Sequence, residues 1–422
     1  MSPTMPNDAD DRRATWRASL VDPVRGELIG TGVDLPQRVQ QVAEPLRGEP
    51  AFDPALIDAI AERLPVLPVS TGSPLLDRSV TIGLAHIEAT FQGDHPKYGV
   101  GTYAEDIHDG FPPTIIATVD ALTLWGLAGR AETLFGYWLN RFVRTDGTID
   151  YYGPSGSEYG QILTTARRLL DRGGDGTWLA AHHCQLERLS LHLRDLIEFG
   201  GGTRVFADIP EADEREQTAT YFHNIAWVVR GLNDWAEVLE AYLGKSAEAH
   251  WCRTASRDLR RVLLDAISAA WPQDPDDWWL RPTVEENDGY LSRPEGFITQ
   301  NRFGSYTNYR YWPELLSSGA LLSEMMRRIV KARLNSGGQF CGMTRFEERL
   351  DDWPLAEYLE GLWHLGLYDD YRLTLWGHIC YHQAEGHLTA YEQVTLPPGE
   401  KVADYCLPCQ LVAARAAKRL IA

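Results

Sequence analysis

The sequence predicts an all-α protein, an (α/α)6 toroid barrel of about twelve helices with long functional loops on one face. Three observations carry that expectation. Apolar residues recur at three- and four-residue spacing through most of the chain after residue 74, as amphipathic helices require. Strand signals are nearly absent: Thr148-Ile149-Asp150-Tyr151-Tyr152 is too short and too isolated to build a sheet. Connections between helices alternate short and long, so in a closed barrel of six hairpins every long one emerges at the same end.

Taken in order, residues 1–70 read as a partly irregular N-terminal arm, rich in proline and acids, in which Asp53–Arg63 has the pattern of a short amphipathic helix. Residues 71–422 read as the barrel. Its expected helices are Leu75–Phe91, Pro113–Trp125, Arg130–Val143, Glu158–Leu170, Trp178–Ile197, Thr218–Leu243 and Ala247–Ala270. After an aromatic loop come Pro313–Ser318, Leu321–Leu334, Leu355–Leu365, Tyr371–His382 and Ala403–Leu420. With no sheet to pack on, each must bury its apolar stripe against other helices. Leu124–Arg130 resembles Leu362–Tyr368, a helix end followed by a small-residue turn, which supports stacked hairpins. An open superhelix would want a fixed repeat of about 34 to 45 residues, and these lengths are too uneven.

The chain has 422 residues, 44% hydrophobic and 23% charged, ordinary values for a globular protein. Its formal charge of −19 argues against nucleic acid or an anionic membrane surface, which reward clustered Lys and Arg. It suits a neutral or cationic small substrate. No apolar run approaches the roughly 20 residues that span a bilayer, and the first residues lack a signal-like apolar core. A cytoplasmic location is therefore expected. Six cysteines are too sparse for a disulfide-built fold. Cys406-Leu407-Pro408-Cys409 has half-zinc-site spacing without a second pair, and reads as two small buried residues. No metal and no cofactor are expected.

The long loops (92–112, 144–157, 198–217, 271–312, 335–354 and 383–402) hold the unusual residues. In the first, Asp106, His108 and Asp109 stand among glycines and aromatics, a pattern suited to gripping sugar hydroxyls; helix capping is the alternative for an Asp there. The second offers Tyr151 and Tyr152 for stacking or for packing. In the third, Glu214 and Glu216 suit the macrodipole at a helix start, whereas Glu211 and Asp213 lie in the loop proper and lead on to Trp227. The fourth holds Trp278-Trp279, Glu285-Glu286 and Tyr306-Thr307-Asn308-Tyr309-Arg310-Tyr311-Trp312, an aromatic density typical of a carbohydrate-binding rim. The last sets Glu392 between Tyr391 and Gln393, just before Pro397-Pro398-Gly399 forbids helix, in the company of Glu385 and His387. His378 and His382, one helical turn apart, read as core residues rather than metal ligands.

On these residues, positions 74–422 resemble the six-hairpin glycosidase superfamily, the (α/α)6 barrels of glucoamylases, bacterial rhamnosidases and related glucosidases. Ala390-Tyr391-Glu392-Gln393 is similar to the glucoamylase stretch in which a Glu followed by Gln is the catalytic base. Those enzymes place their general acid in the loop after the fifth helix, here Glu211-Ala212-Asp213-Glu214, which lacks the Trp-Glu-Glu signature. They hold the terminal sugar with an Arg-Asp pair in the first long loop, where this chain has His108-Asp109. The resemblance implies an inverting glycoside hydrolase with Glu392 as base and Glu211 or Asp213 as acid, Glu285 and Glu286 standing in reserve. It implies sugar contacts from Asp106, His108, Asp109, Tyr152, Trp227, Glu286, Arg310, Trp312 and Tyr391. The partners expected are a carbohydrate substrate, no nucleic acid and no membrane; a homo-oligomer is compatible. The competing readings are an epimerase using His108, His378, His382 and His387 as acid and base, a phosphorylase, and a carbohydrate-binding relative without catalysis.

Overall fold

A computed structural model of the chain describes residues 54–64, 71–152, 155–199, 205–211, 218–272, 279–285, 306–335, 338–340, 342–347, 349–383, 388–395 and 401–421. Helix α1 (Pro54–Ala61) packs on α2 (Pro74–Thr90). Ser73 caps α2 through its hydroxyl, which accepts from the Leu76 N–H, and Pro74 supplies the first-turn φ at no cost in hydrogen bonds. Then follow α3 (Pro112–Leu124), α4 (Ala128–Phe142), α5 (Gly156–Asp171), α6 (Gly176–Phe199), α7 (Phe222–Ala241) and α8 (Ser246–Ala270). The second half holds α9 (Trp312–Ser317), α10 (Ser323–Asn335), α11 (Leu355–His364), α12 (Tyr368–Gly377), α13 (Leu407–Gln410) and α14 (Val412–Ala417).

Alternate elements close into a ring. Helix α3 packs on α5, α5 on α7, α7 on α9, α9 on α11, α11 on α14, and α13 and α14 return to α3. Around it, α2, α4, α6, α8, α10 and α12 each pack on an inner helix. Burial separates the two layers. Every residue of α3 from Pro112 to Thr123 is buried, while α6 buries only Trp178, Leu179, Leu186, Leu189, Ser190 and Leu193. An inner helix is walled on all sides and an outer one only along its stripe. The expected (α/α)6 double ring is therefore the observed architecture.

The inner ring is closed tightly where α5 meets α7. A Cβ on Gly160 would stand 2.2 Å from the Trp227 carbonyl oxygen, and one on Gly231 would stand 2.5 Å from the Gly160 Cα. Both obstacles are backbone, which cannot swing aside as a side chain would. Gly160→Ala is expected to destabilise the fold by about 1–3 kcal/mol or more, visible as a lowered Tm with an unchanged circular-dichroism spectrum.

Three expectations about local structure need correction. Strands do occur: β1 (Gln339–Phe340), β2 (Met343–Phe346), β3 (Arg349–Asp351) and β4 (Gln393–Thr395) form an antiparallel sheet in that order. They are two to four residues long and β2 is buried throughout, so no two-residue alternation marks them. Two of the pairings are local hairpins, and the third is tertiary, with Leu350 opposite Val394. Second, Tyr306–Trp312 is not loop; Thr307–Tyr311 is a π-helical turn that runs into α9. Third, the expected helix Ala403–Leu420 begins at Leu407 and breaks at Leu411; Tyr405 and Cys406 instead bridge to Tyr391 and Gly99. Among the described residues, no helix is long and apolar enough to cross a membrane.

Candidate active site

All five described short connections (125–127, 172–175, 242–245, 318–322 and 365–367) follow an inner helix, so the long ones precede the inner helices and gather at their N-terminal ends. Backbone bridges stitch the first long loop to the last. Gly99 pairs with Cys406, and a Cβ on Gly99 would stand 1.9 Å from the Tyr405 carbonyl oxygen. Only glycine permits that approach. It sets Tyr98 beside Glu392, and the Tyr98 hydroxyl donates to Glu392 Oε2 at 3.0 Å. Tyr103 also hydrogen-bonds to Glu392. Burial holds the Tyr98 phenol well above its ordinary range, so it remains a donor at any working pH.

Glu392 itself is fixed from three directions. Its backbone N–H donates to the Asp404 carbonyl at 3.0 Å. Next to it, Gln393 Nε2 donates to Asp351 Oδ2 at 2.9 Å and Gln393 Oε1 accepts from Arg349 at 3.0 Å. From beneath, His382 Nε2 donates to the Tyr391 carbonyl, while His378 Nδ1 and Asp352 Oδ2 stand 2.8 Å apart. Upstream, Leu388 is held at φ +56, and Gln410 fastens it by accepting from Ala390 N at 2.6 Å and donating to Leu388 O at 2.9 Å. Two buried groups record the low polarity of this region. Burial and then the charge of Glu392 push the Asp351 carboxyl well above the usual range, and burial pushes His382 down to about 4.

Across the cavity stands Glu211. The Arg310 guanidinium donates to Glu211 Oε2 at 2.7 Å, to Glu314 Oε1 at 2.8 Å and to Glu158 Oε1 at 2.9 Å, each from a different nitrogen. All four side chains are at most 4% exposed. The π-helical turn carries Arg310, and α9 carries Glu314 one turn on. Glu158 opens α5, where Oε2 accepts from the Ser155 N–H at 3.0 Å. The Glu211 loop is pinned by His223 Nε2, which donates to the Pro210 carbonyl at 2.8 Å, and by Asn224, which donates to Ile209 O at 2.8 Å. Burial pushes His223 down to about 3, so its ring is neutral. Between the two acids lies a cavity of about 70 Å³ walled by Tyr98, Tyr103, His108, Phe111, Tyr306, Tyr309 and Trp353, with Glu211, Arg310 and Glu392. The rings support one another: Phe111 and Tyr309 lie 5.8 and 6.3 Å from Trp353, and the Trp353 face lies 5.0 Å from the Arg310 guanidinium.

Four of the sequence-predicted residues thus meet here: Glu392, Glu211, His108 and Arg310. Others do not line this cavity. Asp106 and Asp109 pair with the buried Lys97 at 2.6 and 2.8 Å, and Asp109 also meets His95. Tyr152 is 61% exposed and stands edge-on to Tyr151. Trp227 is buried on α7 against Gly160. Trp312 is fully buried, donates to Leu280 O at 3.3 Å and packs on Trp279. The Tyr391 ring belongs to the core under Lys401. Glu285 binds Thr220 with both oxygens. Asp213, Glu214, Glu216, Trp278, Glu286, Glu385 and His387 lie outside the described residues. Among the described residues no group of three His, Cys, Asp or Glu side chains is placed to hold a metal ion, and Cys406 and Cys409 are buried free thiols.

The unpredicted wall residues carried partial signals. Tyr98, Tyr103 and Phe111 flank the first loop's acids, and Tyr306 and Tyr309 belong to the aromatic run. Trp353, just past β3, had none.

No protein-family profile and no curated protein matches the chain. Solved structures match it. A glycosidase is 12% identical, with TM-score 0.57, over 82% of this chain and 97% of its own. An unsaturated glucuronyl hydrolase specific for heparin is 11% identical, with TM-score 0.52, over 83% of this chain and 97% of its own. A bacterial glucoamylase complexed with acarbose is 12% identical, with TM-score 0.51, over 80% of this chain and 54% of its own. The chain has the fold of the six-hairpin glycosidases, and at these identities the likeness is one of fold.

Proposed function

We propose that this barrel is an inverting glycoside hydrolase, with Glu392 as general base and Glu211 or Asp213 as general acid. One observation carries the reading: Glu392 and Glu211 come from different long loops and line one aromatic-walled cavity at the functional end. Two carboxylates lining one aromatic-walled cavity are the groups that glycosidic cleavage by inversion uses. A carboxylic acid protonates the leaving oxygen while a carboxylate activates water on the opposite face of the ring. Tyr98 orients the Glu392 carboxylate toward its water, and the rings cover the apolar sugar face. The histidine chemistry of an epimerase is less well supported. Among the described residues His108 lines the cavity, whereas His378 and His382 are buried behind it, bound to Asp352 and Tyr391.

The test is turnover of a panel of aryl glycosides and oligosaccharides, with the first-formed anomer read by proton NMR. Inverted product is expected; retained configuration would sink the assignment. Tyr98→Phe should keep the fold and lose roughly 10- to 100-fold in kcat, since a hydrogen bond to a charged group contributes about 1.5–3 kcal/mol. A variant as fast as wild type would remove Tyr98 from the machinery. Normal oligosaccharide binding with no turnover of any glycoside would favour a non-catalytic relative.

A further inference from the structure

A second cavity, of about 290 Å³, lies at the opposite end of the barrel, where the inner helices finish. Asp120 comes from the last turns of α3, Arg168 and Asp171 from the end of α5, Glu360 and His364 from the end of α11, and Arg415 from α14. It shares no residue with the cavity that holds Glu392 and Glu211. We infer that this second cavity is a binding site for a small phosphate-bearing anion, held by the guanidinium groups of Arg168, Arg172, Arg230, Arg415 and Arg419. Its chemistry is independent of the hydrolase reading.

Charge gives the cavity its preference. Five arginines line it against three carboxylates, Asp120, Asp171 and Glu360, an excess of two positive charges in a chain whose formal charge is −19. Asp234 and Glu357 pair with Arg230 at 2.6 Å and with Arg415 at 2.7 Å, and offset part of that field without lining the cavity. The C-terminal ends of the inner helices add partial negative charge here, which accounts for some of the arginine. It does not account for the open volume. Ion pairs that served only to close the barrel would be expected to pack shut, as α5 and α7 do at Gly160 and Gly231.

The five guanidiniums differ in how fully they are engaged. Three converge on Asp120: Arg172 at 2.6 Å, Arg415 at 3.1 Å and Arg168 at 3.6 Å. Burial would raise the Asp120 carboxyl, yet these three hold it well below its ordinary value, so it stays ionised and keeps them in place. Arg168 also reaches Glu360 at 2.9 Å. Arg230 and Arg419 are less committed. Arg230 gives its Nε to Asp234, and Arg419 meets Glu360 at 3.6 Å. A guanidinium carries five N–H donors in a planar fork, which matches the oxygens of a phosphate two at a time. Arg230 belongs to α7 and Arg419 to the turn after α14, so the anion would tie separate parts of the ring together. The volume lies at the small end of ligand pockets, which run from about 300 to 1,000 Å³. It suits a phosphate with a small organic body and excludes a polymer.

The test is isothermal titration of the full chain with inorganic phosphate and with glucose 6-phosphate, against glucose and chloride as controls. Saturable binding of one phosphate per chain, with Kd near or below about 1 mM, is expected, and no saturation by either control. Arg419→Gln and Arg230→Gln change the two most exposed arginines of the wall, at 30% and 31%, so each should keep the wild-type Tm. Each should weaken phosphate binding roughly ten-fold or more, the effect of losing a charge-assisted hydrogen bond. A second readout comes from the wild type. The ring resonance of His364, identified by its loss in His364→Gln, should shift along the same titration curve, because His364 lines the cavity. Tighter binding of glucose 6-phosphate than of inorganic phosphate would support the site with a phosphorylated sugar as occupant; the reverse order would support it with free phosphate. No saturation by either phosphate, affinities unchanged in both variants, or a His364 resonance that stays still while phosphate binds would overturn the inference. Glycoside turnover enters none of these readouts, so failure of the hydrolase reading would leave them intact.

Discussion

Glu392→Gln should lower kcat by about 10²–10⁴-fold, the range a positioned general acid or base contributes. The substitution is nearly isosteric and keeps an oxygen to accept from Tyr98. It keeps the backbone bond to Asp404 as well. What it removes is the charge that, on the proposed reading, takes a proton from water. On the proposed reading the sugar would rest on the aromatic wall and His108, which the substitution leaves in place, so KM should change little, and Tm should hold or rise. Removing Glu392's charge also relieves Asp351, whose carboxyl is pushed up by burial first and by that charge second. Steady-state kinetics with the best substrate of the panel, alongside thermal scans, decide the matter. A variant with kcat within a few-fold of wild type would exclude Glu392 as the base and send the search to the histidines.

Arg310→Leu should be the most damaging single change to the fold near the site. It removes the guanidinium that pairs with the buried carboxylates of Glu158, Glu211 and Glu314. Removing one partner of a buried ion pair costs about 3–5 kcal/mol. For a chain of this size that lowers Tm by roughly 5 °C. The defect has a sign with pH. The orphaned carboxyls can take up protons, so the loss should be greatest near pH 8 and shrink toward pH 5. Arg310→Lys should rescue poorly, because one ammonium cannot present three nitrogens to three acids. Glu211 also loses its anchor, so activity should fall even at temperatures where the variant is folded. A variant with wild-type Tm at pH 8 would show that the cluster carries no such strain.

Much of the molecule was legible before any coordinates. Helical periodicity runs through the sequence because each helix must bury a stripe, and that requirement is local. The alternation of short and long connections is also local, and it places the functional end of a barrel without reference to packing. Glu392 stood out for a similar reason: a carboxylate between Tyr and Gln, after a helix and before two prolines, has little structural work of its own.

Other features depended on partners distant in sequence. Trp312 and Arg310 sit two residues apart in one aromatic run, yet one is core and the other faces the cavity. Nothing in that run distinguishes them, because the π-helical turn rotates successive side chains to different neighbours. That Asp106 and Asp109 pair with the buried Lys97 is visible only in the folded chain. Strands of two to four residues carry no periodic signature, and the β3–β4 pairing joins residues more than forty positions apart, Asp351 with Gln393 among them. The sequence by itself therefore determined the fold class and the end at which the long loops gather, and it singled out Glu392 and Glu211 as candidates, since each follows from local pattern and residue type. Only the tertiary structure decided which charges neutralise one another and which rings stay open to a ligand. Those outcomes turn on distances of a few ångströms between segments that a linear pattern leaves unrelated.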